Sequence, residues 1–150
     1  MSEYITMVRR RPSHKRKGKS LEKQLKGTKA ALKGLTFEIK VANWLADQDY
    51  KIKLRSKSKR LGEVDIIAER KVGILRKREV IFVECKNKKK ITLKDFHRFV
   101  TKFERFLNRE PDAFGLFIYR GELDKDVKDY YRKTLDPEIA DLITLKKWRR

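Results

Sequence analysis

The chain has 150 residues, 41% of them Asp, Glu, Lys or Arg, and carries a formal net charge of +20 with a pI near 10.2. That length fits one domain with a real core. No apolar run approaches the roughly 20 residues of a membrane span, and no secretory h-region opens the sequence, so a cytoplasmic protein is expected.

The single cysteine, Cys85, excludes an internal disulfide. Its place in an apolar strand predicts a buried, reduced thiol. So positive a charge calls for a polyanionic partner, nucleic acid before a membrane surface or an acidic protein. The abundance of Lys, Arg and Glu is in keeping with a thermophile.

Residues 1–34 are dense in Lys and Arg and hold only two acids, Glu3 and Glu22. The stretch from Arg9 to Lys19 has almost no apolar content and cannot build a core. This predicts a flexible basic arm over residues 1–27 ahead of a domain at 28–150. A solubilising tail has the same composition. The basic charge of the remaining chain favours a nucleic-acid arm, with Arg9, Arg10, Arg11, Lys15, Arg16 and Lys17 on phosphates.

Leu32, Leu35, Ile39, Ala42 and Leu45 recur at helical spacing, which predicts a helix from about residue 28 to Asp47. Glu38 precedes Ala42 by four and Leu45 by seven, so it projects from the same apolar face; a solvated helical glutamate is the alternative. Tyr50–Leu54 reads as a short strand. Residues 55–62 then read as a basic loop ending in a turn glycine, with Arg55, Lys57, Lys59 and Arg60 open to phosphates.

Strands follow at 63–69 and 79–86, joined by a charged hairpin or loop around Gly73. Asn87, Lys88, Lys89 and Lys90 close the second strand, and the three lysines are further phosphate contacts. Thr92-Leu93-Lys94-Asp95 is a variant capping box. It opens a helix in which Phe96, Phe99, Val100, Phe103, Phe106 and Leu107 form the clearest amphipathic pattern of the chain. These phenylalanines read as core rather than as a base-stacking platform. Lys102, on the flank of that face, reads as a solvated lysine, with reach to a phosphate as the alternative. Pro111 stops the helix. A strand is expected at 113–119, a helix at 124–133, and a last strand or short helix–strand pair at 139–145. The order predicts an α/β fold with a mixed sheet between helices.

Three charged residues interrupt the apolar strands. Asp65 stands in Val64-Asp65-Ile66-Ile67-Ala68, and Glu84 and Lys86 end the run that begins at Val80. Ionised side chains are almost never fully buried without partners. Residues i and i+2 of a strand share a face, so Glu84 and Lys86 point the same way as Phe82. Two carboxylates converging from adjacent strands suit Mg²⁺, with the Cys85 carbonyl as a further oxygen. Lys86 is placed to orient a water or to offset charge on a phosphoryl group, and Glu38 to hold a second metal or a water. Glu63, at the start of that strand, ranks below Asp65. The plain alternative pairs each acid with Lys86 or an arginine. Burying all three groups without a functional return is costly. His14 and His97 stand apart and make no zinc site. No Walker-type glycine loop supports ATP use.

These residues carry a family resemblance. With the helical acid of Gly34-Leu35-Thr36-Phe37-Glu38, the acid of Gly62-Glu63-Val64-Asp65-Ile66-Ile67-Ala68, and Glu84-Cys85-Lys86 as an E-x-K element, the chain resembles the PD-(D/E)XK, or restriction-endonuclease-like, nucleases. The resemblance spans roughly residues 34–120. Gly-x-x-Phe-Glu followed by Val-Ala-x-x-Leu looks most like Mrr-type endonucleases, many of which carry Gln where this chain has Glu84. Asp-Ile-Ile-Ala with E-x-K is also similar to archaeal Holliday junction resolvases, which share small size and basic charge.

The resemblance implies a restriction-endonuclease-like αβββαβ core and metal-dependent phosphodiester hydrolysis. Asp65 and Glu84 would be ligands of Mg²⁺, with Mn²⁺ able to replace it. Lys86 would be the catalytic lysine and Glu38 the accessory acid. The substrate is left open. A DNA endonuclease of repair, recombination or restriction, an RNA-directed nuclease, and a non-catalytic nucleic-acid-binding protein on the same fold all answer to it. Cutting both strands of a duplex would call for a homodimer.

Overall fold

The computed structural model describes residues 36–58 and 63–149. The first described element is helix α1, residues 36–46; the expected helix start near residue 28 lies outside the described residues. Three strands follow, β1 (Lys51–Ser58), β2 (Glu63–Val72) and β3 (Lys77–Ile91). Helix α2 (Leu93–Leu107) then leads to β4 (Phe114–Leu123). A short helix α3 (Lys125–Asp129) widens into a turn of π-helical geometry at Tyr130–Thr134. Helix α4 (Pro137–Ala140) precedes the last strand, β5 (Ile143–Lys147).

The strands form one mixed sheet in the order β1-β2-β3-β4-β5. The first three run antiparallel, and β4 and β5 continue parallel to β3. From α1 to β4 the order is αβββαβ, and the architecture is the expected α/β fold with a mixed sheet flanked by helices.

Four strands run past the ends that hydrophobicity predicts: β2 continues to Val72, narrowing the expected charged loop to residues 73–76, and β4 continues to Leu123. β1 continues through Arg55–Ser58, where a loop is expected, because its ladder to β2 carries on: Ser56 faces Asp65 and Ser58 faces Glu63, after a bulge beyond Leu54. β3 continues through Lys88, Lys89 and Lys90 to Ile91. Lys90 there pairs with Glu122 and Ile91 with Leu123, beyond a register shift that begins at Asn87. Backbone pairing, not side-chain burial, sustains the β1 and β3 extensions. The side chains of Arg55 and Lys57 lie outside the described residues, as do Lys59 and Arg60. So does the whole expected arm with Arg9, Arg10, Arg11, Lys15, Arg16 and Lys17.

The sheet divides two apolar layers. On one face Phe96, Phe99, Phe103 and Phe106 of α2 bury against Phe82 and Phe117. The Phe82 and Phe106 rings stack with centroids 5.1 Å apart. On the other face Phe37, Val41 and Leu45 of α1 pack on Ile66, Ala68, Val83, Cys85, Leu116 and Ile118, and Trp148 joins them. Strand alternation makes the assignment: Phe82 looks toward α2 and Val83 toward α1. Glu84 and Lys86 therefore enter the phenylalanine layer, and Cys85 the other.

Gly121 shapes the end of the β3–β4 ladder. It takes φ +110°, and a Cβ there would collide with the Lys88 carbonyl and come 2.8 Å from that of Lys89. Gly121→Ala should lower the unfolding free energy by about 3 kcal/mol, read by urea denaturation. Gly73→Ala, at φ +76° with open space around it, should cost about 1 kcal/mol.

Candidate active site

Asp65 and Glu84 stand directly opposite one another in the β2–β3 ladder. Both are buried, Glu84 completely. Like charges in directly opposed positions destabilise a sheet, and burial raises that cost. Helix α2 supplies the answer. Lys102 Nζ lies 3.1 Å from Asp65 Oδ1 and 2.9 Å from Glu84 Oε1. The ion-pair alternative read from the sequence is thus met at Lys102, a partner the sequence reading did not name. The Lys102 side chain is 26% exposed, so it spans from the buried pair to solvent.

Burial pushes the Glu84 carboxyl up, to about 8; Lys102 opposes this and Asp65 adds to it. Burial alone would lower Lys102, but Glu84 and Asp65 outweigh it and hold the ammonium above its ordinary range.

Lys86 follows two residues on from Glu84, on the same face, and its side chain is only 1% exposed. Its Nζ lies 3.5 Å from Asp95 Oδ1. Asp95 is a residue of the α2 capping box: its N–H donates to Thr92 Oγ1 at 3.2 Å, and its Oδ2 accepts the Thr92 N–H at 2.9 Å. Lys88 Nζ reaches the same carboxylate at 2.9 Å. Burial raises the Asp95 carboxyl, but Thr92, Lys88 and Lys86 together bring it below its ordinary range. Lys88 is thereby tied to the helix cap. Lys89 is exposed, and Lys90 lies 3.6 Å from Asp124.

Cys85 turns to the opposite layer and is buried there. Burial pushes its thiol well above the usual range, with Glu38, Glu84 and Asp65 adding to the effect. Its backbone sits in two ladders, opposite Val64 on β2 and Ile118 on β4. Glu38 is completely buried on α1, and its charge is felt at Cys85. The structure thus brings Asp65 and Glu84 onto one ammonium, fixes Lys86 on Asp95, and seats Glu38 on the helix of the other layer. Among the described residues no group of three or more His, Cys, Asp or Glu is set to hold a metal ion.

Lys102 and Asp95 are not on the list read from the sequence. The signal for them lies in spacing. Asp95 and Lys102 are seven residues apart, two helical turns, and flank Phe99 on the sheet-facing side of α2. A charge at each end of an apolar stripe can be read as a partner for charges on the strand beneath it.

A model of the uncharacterised protein family UPF0102 matches residues 37–109, the span that holds Glu38, Asp65, Glu84, Lys86, Asp95 and Lys102. No curated protein sequence matches the chain. Two solved structures resemble it. EndoMS in apo form has a TM-score of 0.46 at 16% identity, over 67% of this chain and 38% of its own. The MspJI restriction endonuclease in complex with a 27-mer oligonucleotide has a TM-score of 0.46 at 18% identity, over 85% of this chain and 27% of its own. The chain thus corresponds to well under half the length of either. Among the described residues no helix is long and apolar enough to cross a membrane.

Asp95→Ala should remove both a helix cap and the counter-charge of a buried lysine, lowering the unfolding free energy by about 3 kcal/mol in urea melts. Lys88→Ala removes only a 41% exposed partner of the same carboxylate and should cost less than about 1 kcal/mol.

Proposed function

We propose that the chain is a Mg²⁺-dependent DNA endonuclease, with Mn²⁺ able to serve in place of Mg²⁺. The observation that carries this reading is the Asp65–Glu84 pair, two opposed, buried carboxylates gathered on a single cation. Mg²⁺ is held by one or two carboxylates and takes its remaining oxygens from water and substrate phosphate, so this donor set fits it. Asp65 and Glu84 would hold the ion, with the Cys85 carbonyl as a further oxygen. When bound, a divalent ion supplies Lewis-acid polarisation of a phosphoryl oxygen and lowers the pKa of a water.

The chain's own residues do the positioning. Lys86 is held on Asp95 just beyond Glu84, and in this scheme its ammonium would offset charge gathering on the scissile phosphate. Glu38, buried on α1, is the accessory acid of this scheme. The net charge of +20 supports a polyanionic substrate. The basic arm, the 55–60 segment and the lysines after Lys86 would contact phosphates, which positions a duplex without reading its sequence. Nothing in the sequence looks like a base-reading module. Junction resolution, as in the archaeal resolvases the motifs resemble, therefore stands beside Mrr-type restriction and repair cleavage.

The test is a cleavage assay in Mg²⁺ or Mn²⁺ on supercoiled plasmid, linear duplex, single strand, a four-way junction and RNA. Metal-dependent cutting of DNA is expected. Asp65→Ala and Glu84→Ala should each lower it by about a hundredfold or more, with nucleic-acid binding kept within a few-fold. Cutting of RNA alone would point to an RNA-directed nuclease. Tight binding without cutting on any substrate would point to a non-catalytic binding protein.

A further inference from the structure

Lys102 takes part in two features at once. It sits between the Asp65 and Glu84 carboxylates, and it lines a shallow, open basic groove along α2. The groove is walled by Lys94, His97, Arg98, Thr101, Lys102 and Arg105, all from one helix, with no acid among them. We infer that Lys102 is an exchangeable counter-ion: it neutralises the acid pair until a divalent ion arrives, then swings into this groove to meet a phosphate of the nucleic-acid backbone. The inference rests on the metal-dependent reading above.

An ammonium at 2.9 and 3.1 Å from the two carboxylates takes the position a cation between them would take. Two cations cannot share it. Lysine is a compact charge on a flexible four-carbon stem, so it can leave without moving the backbone. Its exposed portion already borders the groove. Once withdrawn, it would join Lys94, Arg98 and Arg105 in a row whose matching anion is a string of phosphates. Lys86 is the contrast. It is buried to the tip and held by Asp95, so it stays in place while Lys102 exchanges.

Two consequences follow by linkage. A site closed by its own lysine binds metal more weakly in proportion to the time it is closed. Metal binding that frees Lys102 must also strengthen nucleic-acid binding, and the reverse holds by the same factor.

Full-length wild type, Lys102→Met, Lys102→Arg and Arg105→Gln would be titrated with Mn²⁺ by calorimetry. Binding to a labelled duplex would be followed by anisotropy with and without Ca²⁺. Lys102→Met should bind Mn²⁺ about tenfold more tightly than wild type. Lys102→Arg should stay near wild type, because it restores the internal cation. Arg105→Gln removes a groove charge without touching the acids and should leave Mn²⁺ affinity unchanged. Ca²⁺ should tighten duplex binding severalfold in wild type and not in Lys102→Met. If Lys102→Met does not fold, Lys102→Gln takes its place, and the wild-type Ca²⁺ effect still decides. Equal or weaker Mn²⁺ binding in the variant, an equal gain in Arg105→Gln, or a Ca²⁺ effect absent in wild type would overturn the inference and leave the nuclease reading intact. Absence of Mn²⁺ binding in every protein would overturn both.

Discussion

Two carboxylates facing each other across neighbouring strands are the constraint around which this fold is arranged. Asp65 and Glu84 occupy opposed positions in a ladder whose alternation sends both into an apolar layer. The cation arrives from α2, so that helix must dock with Lys102 above the pair. Two turns earlier the same helix must place Asp95 beside Lys86 and Lys88. Sliding α2 by one turn, about 5.4 Å, would part both sets of charges at once. Phe99 and Phe103 fill the space between, so packing and electrostatics select the same register.

The stabilising energy comes mainly from the aromatic layers rather than from these ion pairs. Phe82, Phe96, Phe99, Phe103, Phe106 and Phe117 each contribute large buried area and favourable ring geometry. Buried ion pairs commonly break even against apolar replacements of similar size. A set of charges that contributes so little to stability is expected to be kept for what it does. Its division of labour is visible: one lysine is sealed against a helix cap, the other spans from the carboxylates to solvent.

Much of this was legible in the sequence, for a physical reason. Asp65, Glu84 and Lys86 break apolar strand patterns, and strand periodicity alone puts Glu84 and Lys86 on one face. The phenylalanine spacing of α2 and the αβββαβ order were legible too, because periodicity reports burial. What it could not report is pairing. Lys102 reads as a solvated lysine when its flank of the helix is considered alone, since its partners lie on two strands distant in sequence. Asp95 reads as a cap and nothing more for the same reason. The lysine-rich end of β3 reads as the close of the strand because its side chains are polar, whereas its backbone is held further by β4. The short helix after β4 reads as continuous to residue 133; the widening at Tyr130–Thr134 has no periodic signature.

The central claim is that the Asp65–Glu84 pair is a cation site whose resident ammonium gives way to a divalent ion. Crystals of the full-length protein soaked in Mn²⁺ and measured for anomalous scattering test it most directly. The account predicts an anomalous peak between the two carboxylates, with Lys102 turned out into the groove along α2 and Lys86 still on Asp95. Lys102 seated between the carboxylates with no peak beside them, in crystals whose Mn²⁺ is bound elsewhere, would contradict it.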